Sequence, residues 1–178
     1  NYLFKNLNVD LLILNLFIFC YIFLIFSNFS YQIYKFESPT FFFYLVSICF
    51  FSDIGGYVFG KIIGGKKLSK ISPNKTMSGV LGSFIFSLGS VFLLSFVIEL
   101  ISGFGSDFFL KPRYFILAIV FSLVAQIGDL IISYFKRLEK IKDTGKILPG
   151  HGGIFDRIDS LMFVVIVAYI LYNLKLFP

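Results

Sequence analysis

Residues 78–102 read SGVLGSFIFSLGSVFLLSFVIELIS, and this run decides the fold class. It is apolar or small almost throughout and is longer than the roughly 20 residues that cross the hydrocarbon core of a bilayer. Working outward, four further runs of the same character flank it: Val9 to Ser27, Thr40 to Gly60, Arg113 to Phe135 and Ile154 to Leu174. The whole chain has 178 residues, 57% hydrophobic and only 15% charged. A water-soluble domain carries about a quarter charged residues. The reading is therefore an all-α polytopic membrane protein, with about five transmembrane helices packed as a single domain over residues 1–178. No internal repeat or low-complexity linker divides it.

Cys20 and Cys49 both fall inside apolar runs and read as small buried hydrophobes rather than a disulfide. One histidine and no paired cysteines argue against zinc, which needs about four nitrogen or sulfur ligands. No basic start followed by a small-residue cleavage site marks a signal peptide.

Charge sets the expected orientation. Lys61, Lys66, Lys67, Lys70 and Lys75 crowd the loop after the second run. Lys136, Arg137, Lys140, Lys142, Lys146 and Arg157 crowd the loop after the fourth. These two loops hold 11 of the 16 basic residues, and an even number of spans separates them. The positive-inside rule then places both in the cytoplasm. The other loops, Asn28 to Pro39 and Gly103 to Pro112, are expected outside. For most of these lysines, a solvated loop that only sets topology is a sufficient explanation.

Carboxylates inside the apolar runs need another one, because an aspartate near a helix centre costs about 2.5–3.5 kcal/mol on insertion scales. In the fourth run Gln126, Asp129, Ser133, Lys136, Arg137 and Lys140 recur at steps of three and four, so they share one stripe of a helix. Such a stripe lines a polar cavity or forms a buried ion pair. Asp156 and Asp159 share a face in the first turn of the fifth helix, where carboxylates usually cap the helix. The preceding GHGG (residues 150–153) lets a backbone approach a ligand closely, and a helix N-terminus offers free N–H groups to anions. Acids and anion-binding groups together suggest a metal bridging carboxylates to phosphate oxygens. In the second run, Asp53 either holds a lysine or a metal or is structural. Gly56 and Gly60, with Gly79, Gly82, Ser83 and Ser87 in the third run, form small-residue faces for close helix packing. The loop ISPNKTMSG (residues 71–79) ends with Lys75 beside a helix N-terminus, which the helix dipole disfavours. A bound anion would relieve that conflict.

The run SYFKRLEKIKDTGKILPGHGGIFDRID (residues 133–159) resembles the signature of the phosphatidate cytidylyltransferases (CDP-diacylglycerol synthases). The matching positions are Ser133, Lys136, Arg137, Lys142, Asp143, Gly145, Pro149, His151, Gly152, Gly153, Asp156, Arg157 and Asp159. AQIGDL (residues 125–130), ISPNKT (residues 71–76) and DIGGYVFGKIIG from Asp53 are similar to the family as well. The likeness covers roughly Phe41 to the C-terminus, about residues 41–178. Ile132 and Ser78 stand where the family commonly has Glu, and family members are usually longer, with further N-terminal membrane helices.

The resemblance implies conversion of CTP and phosphatidate to CDP-diacylglycerol and pyrophosphate with Mg2+, leaving room for a second cation and for a homodimer. It implies no nucleic-acid partner, and a site facing the cytoplasm from a bacterial inner membrane. By the same resemblance Asp129 and Asp156 would hold the metal, with Asp159 in support. Lys136, Arg137, Lys142 and Arg157 would neutralise phosphates, and Ser72 and Lys75 would reach a substrate phosphate. Ser133, Asp143, Gly152 and Gly153 belong to the substrate-binding set, while His151 binds a phosphate or shapes its turn. The attacking group is already an anionic phosphate oxygen, so the task is positioning and charge neutralisation rather than base catalysis. Two rivals are a CTP-dependent kinase of a membrane alcohol and an inactive lipid-phosphate-binding membrane protein.

Overall fold

The computed structural model describes residues 20, 23–35, 39–68, 72, 75–102, 110–138 and 155–176. Five helices account for nearly all of them: α1 (23–35), α2 (Pro39–Ile62), α3 (Met77–Ser102), α4 (Pro112–Leu138) and α5 (Phe155–Asn173). Proline opens both α2 and α4. Its fixed φ suits the first helical position, and its missing N–H is one that the helix leaves unpaired there anyway. Lys61 closes α2, and Lys136 with Arg137 closes α4, where cations favour the negative end of the helix dipole.

Among the described residues, three helices are long and apolar enough to cross a membrane: Pro39–Ile62, Met77–Ile101 and Pro112–Leu138. They correspond to the second, third and fourth expected spans. In α5 the apolar helical stretch Ile158–Asn173 is shorter. Most of the first expected span lies outside the described residues. Its end is helical, and the helix runs on to residue 35 through what the sequence reading assigned to an outer loop from Asn28. The extension has a packing reason. Ile33 is buried, and Phe29 stacks on Tyr169 of α5 with ring centroids 4.2 Å apart. Residues 29 and 33 lie one turn apart on the same face.

The core gathers Tyr44, Leu45 and Ile48 from α2, Val91 from α3, Ala118, Phe121 and Ala125 from α4, and Val164, Val165 and Ala168 from α5. Lipid offers apolar side chains no less than a core does, so close backbone approach and interhelical hydrogen bonds carry much of the association. A Cβ on Gly82 would lie 2.5 Å from the Gly55 carbonyl oxygen, and one on Gly79 would lie 2.8 Å from that of Gly56. The small-residue faces thus meet across α2 and α3, with Gly55 added to the residues the sequence suggested. Ser83 donates to the Ser52 carbonyl at 2.7 Å, and Ser52 and Ser122 share a hydroxyl hydrogen bond at 2.9 Å. Those two bonds join α2, α3 and α4 within the apolar layer.

Candidate active site

The segment between α2 and α3 turns at Gly64 and Gly65, with φ of 64° and 106°, a region that glycine enters without strain. The chain then forms an antiparallel bridge between Lys67 and Thr76. Leu68 N donates to the Lys75 carbonyl at 2.8 Å, and Met77 N to the Lys66 carbonyl at 3.0 Å. Thr76 caps α3 by accepting from the Gly79 N–H at 3.1 Å. Ser78, where the family commonly has Glu, donates to the Gly64 carbonyl and lies 2.9 Å from the Thr76 hydroxyl. It pins the turn to the helix. The backbone at Lys75 is thereby held, and its ammonium reaches across to form an ion pair with Asp129 Oδ2. Asp129 thus supplies Lys75 with a counter-charge from the chain itself, in an ion pair that is only partly buried.

On the other side of Asp129, Gly128 lets α5 come close: a Cβ there would lie 2.6 Å from the Phe163 ring. That approach brings Asp159, which is buried, within 3.6 Å of the Lys136 ammonium. Ser133, one turn beyond Asp129, donates to its Oδ1 at 3.5 Å, a long and weak contact. Ile132, the other position where the family commonly has Glu, is nearly buried in α4.

Two cavities meet at these residues. One of about 290 Å³ is lined by Ser72, Lys75, Thr76, Ser83, Gln126 and Asp129, among others. A second of about 610 Å³ is lined by Cys49, Phe50, Asp129, Asp159, Ser160 and neighbouring residues. Asp53, Tyr57 and Asp129 border both. Asp53 is thus placed on a cavity wall that also carries Asp129. Tyr57 is largely exposed, with the Lys61 ammonium 5.6 Å from its ring centroid.

Of the residues singled out in the sequence, Ser72, Lys75 and Asp129 line one cavity, and Asp129 and Asp159 line the other. Lys136 touches Asp159, and Ser133 touches Asp129. Arg137 is exposed in the last turn of α4 and lines neither cavity. Asp156 and Arg157 lie in the first turn of α5, and their side chains fall outside what is described. Lys142, Asp143, His151, Gly152 and Gly153 lie outside the described residues altogether. Ser52, Ser160 and Cys49 were not expected at a site. Ser52 adjoins Asp53 and Ser160 adjoins Asp159, and that adjacency was the available signal. Cys49 is buried as expected, yet it borders a cavity; Cys20, expected to be buried as well, is exposed.

Among the described residues, no three His, Cys, Asp or Glu side chains are grouped to hold a metal. That still fits Mg2+, which keeps several waters and takes one or two protein carboxylates together with substrate phosphates. Asp129, with an Oδ near a cavity and hard oxygen donors only, suits such a shared site.

The family model described as the cytidylyltransferase family matches residues 4–175. The chain belongs to that family. The match extends N-terminal of Phe41, where the resemblance in sequence began. Phosphatidate cytidylyltransferases of three staphylococci are similar to it. That of Staphylococcus haemolyticus is 43% identical over 68% of this chain and 45% of its own length. That of Staphylococcus saprophyticus is 43% identical over 66% and 43%. That of Staphylococcus aureus strain N315 is 42% identical over 68% and 45%. The chain spans less than half the length of these curated relatives. Its membership in the family rests on the whole matched region, and its all-α helical architecture agrees with the fold read from the sequence.

Proposed function

We propose that the chain transfers the cytidylyl group of CTP to phosphatidate, giving CDP-diacylglycerol and pyrophosphate, from the cytoplasmic face of a bacterial inner membrane. A phosphate oxygen of phosphatidate attacks the α-phosphorus of CTP. The new P–O bond forms as the bond to the β-phosphate breaks, and pyrophosphate leaves with the electron pair. The observation that carries this reading is the meeting of Asp129, on the stripe leading into the signature, with Lys75 from the ISPNKT segment, at a cavity both line. Two segments that each resemble the family thus converge on one place.

The difficulty of the reaction is repulsion between two polyanions, and cations answer it. Lys75 lines one cavity, Lys136 pairs with Asp159 on the wall of the other, and Lys142 and Arg157 belong to the same signature. Arg157 would grip two phosphate oxygens with its planar fork. Asp129 and Asp156 would hold Mg2+, which when bound draws charge from the phosphate oxygens. Tyr57 and Ser72 line the walls. The long apolar helices keep the site at headgroup depth, where a lipid phosphate is found.

The test is incubation of the purified chain with CTP labelled at the α-phosphate, phosphatidate and Mg2+. Labelled CDP-lipid and an equal amount of pyrophosphate are expected. A parallel incubation with a membrane alcohol such as diacylglycerol in place of phosphatidate tests the kinase rival. Phosphorylated alcohol with released CDP there, or no product in either incubation, would replace this reading with one of its rivals.

A further inference from the structure

Lys75 and Asp129 are joined in an ion pair although the proposed reaction asks each to hold something else. Their side chains are 29% and 27% exposed, so the pair is accessible from the cavity and only partly screened by solvent. The pattern recurs at the next helix boundary. The Lys136 ammonium lies 3.6 Å from Asp159 Oδ2, with the two side chains 13% and 7% exposed. In both pairs the lysine belongs to a basic loop or helix end, and the carboxylate borders a cavity.

This arrangement has a consequence for ligand entry. A divalent cation arriving alone at Asp129 meets the ammonium of Lys75, and a phosphate arriving alone at Lys75 meets the carboxylate. We propose that Lys75 is a resident stand-in for the metal at Asp129, so that metal and substrate phosphate are admitted together by exchange of partners. One lysine–carboxylate pair is traded for a metal–carboxylate pair and a lysine–phosphate pair. The identity of the two ligands rests on the function proposed above, whereas the competition at Asp129 rests on the ion pair itself.

The two partners differ in a way that suits the exchange. Asp129 sits on α4 beside Gly128, which is packed against Phe163 of α5, so its helix has little room to move. Lys75 carries its charge on a flexible four-carbon stem, from a backbone held by the Lys67–Thr76 bridge. The ammonium can swing from Asp129 toward the space between Ser72 and Gln126, which line the same cavity. The carboxylate stays in place.

The experiment measures each ligand alone, on the full chain in detergent. Binding of Mn2+ without nucleotide is read from the electron paramagnetic resonance signal of the free ion. Lys75→Met is expected to bind Mn2+ at least tenfold more tightly than the native chain, and each tenfold corresponds to about 1.4 kcal/mol. Adding Asp129→Asn to that variant should remove the gain, and Lys75→Arg should keep the native weakness. In the reciprocal arm, labelled CTP is bound in the presence of a chelator. Asp129→Asn should hold metal-free CTP at least tenfold more tightly than the native chain, because its lysine is released. Unchanged or weaker Mn2+ binding in Lys75→Met, with helicity and monodispersity retained, would overturn the proposal. Lys75→Gln serves in the same titration if the Met variant does not fold. If Lys75→Met gains Mn2+ affinity as expected but the native chain makes no CDP-lipid, the proposed reaction falls and the competition at Asp129 stands.

Discussion

Replacing Gly82 by alanine adds one methyl group where α2 and α3 cross closely, and the surroundings determine what that methyl meets. Its carbon would lie 2.5 Å from the Gly55 carbonyl oxygen and 2.5 Å from Phe59 Cβ. Carbon contacts settle at about 3.5–4.0 Å, so the helices must part by roughly 1 Å. Overpacking of this kind costs about 1–3 kcal/mol. The backbone oxygen cannot rotate away as a side chain could. Because α3 begins just after Lys75, parting the helices also shifts Lys75 relative to Asp129, and misplacement by about 1 Å can lower a rate about a hundredfold. The control is Gly89→Ala, on the same helix, where nothing lies within 4 Å of the added carbon. Thermal unfolding in detergent and turnover of CTP into CDP-lipid should both suffer in Gly82→Ala and stay near native in Gly89→Ala. Equal behaviour of the two variants would refute the close α2–α3 crossing as the element that positions Lys75.

Other outcomes follow from the same geometry and signature. Asp129→Asn and Asp156→Asn should each lower Mg2+-dependent turnover by several orders of magnitude with the protein still inserted; near-native rates in both would remove them from the metal site. Arg157→Lys should reduce turnover roughly ten- to hundredfold through loss of about 1.5–3 kcal/mol of charge-assisted hydrogen bonding, while Lys67→Ala should change little. Equal small effects would make Arg157 a replaceable structural cation. Cysteines placed at Lys67 and Lys146 should be labelled by an impermeant reagent from the same side of the membrane, and labelling from opposite sides would break the expected topology.

The three long helices were legible because each is a long apolar run, with proline opening α2 and α4 and basic residues ending them. Their faces were legible too, since glycine and serine at steps of three and four mark close packing. The end of α1 was not, because the apolar run breaks at Asn28, and the helix continues through tertiary packing, with Ile33 buried and Phe29 stacked on Tyr169 of α5. At the site, the odd position of Lys75 at a helix N-terminus was visible in sequence, and so was the costly Asp129. That each relieves the other was not visible. Their meeting depends on α3 and α4 being brought side by side, and a single sequence carries no record of which distant charges face each other.

The wall shared by the two cavities has a pharmacological consequence. A small molecule wide enough to straddle it would rest on Asp53, Tyr57 and Asp129 at once. Resistance through any of these three would alter both chambers together, and through Asp129 it would also strip Lys75 of its counter-charge. Escape would then fall to peripheral lining positions, Leu68 and Val80 on one side or Val46 and Leu161 on the other. A compound seated in one chamber alone leaves its target many more ways out.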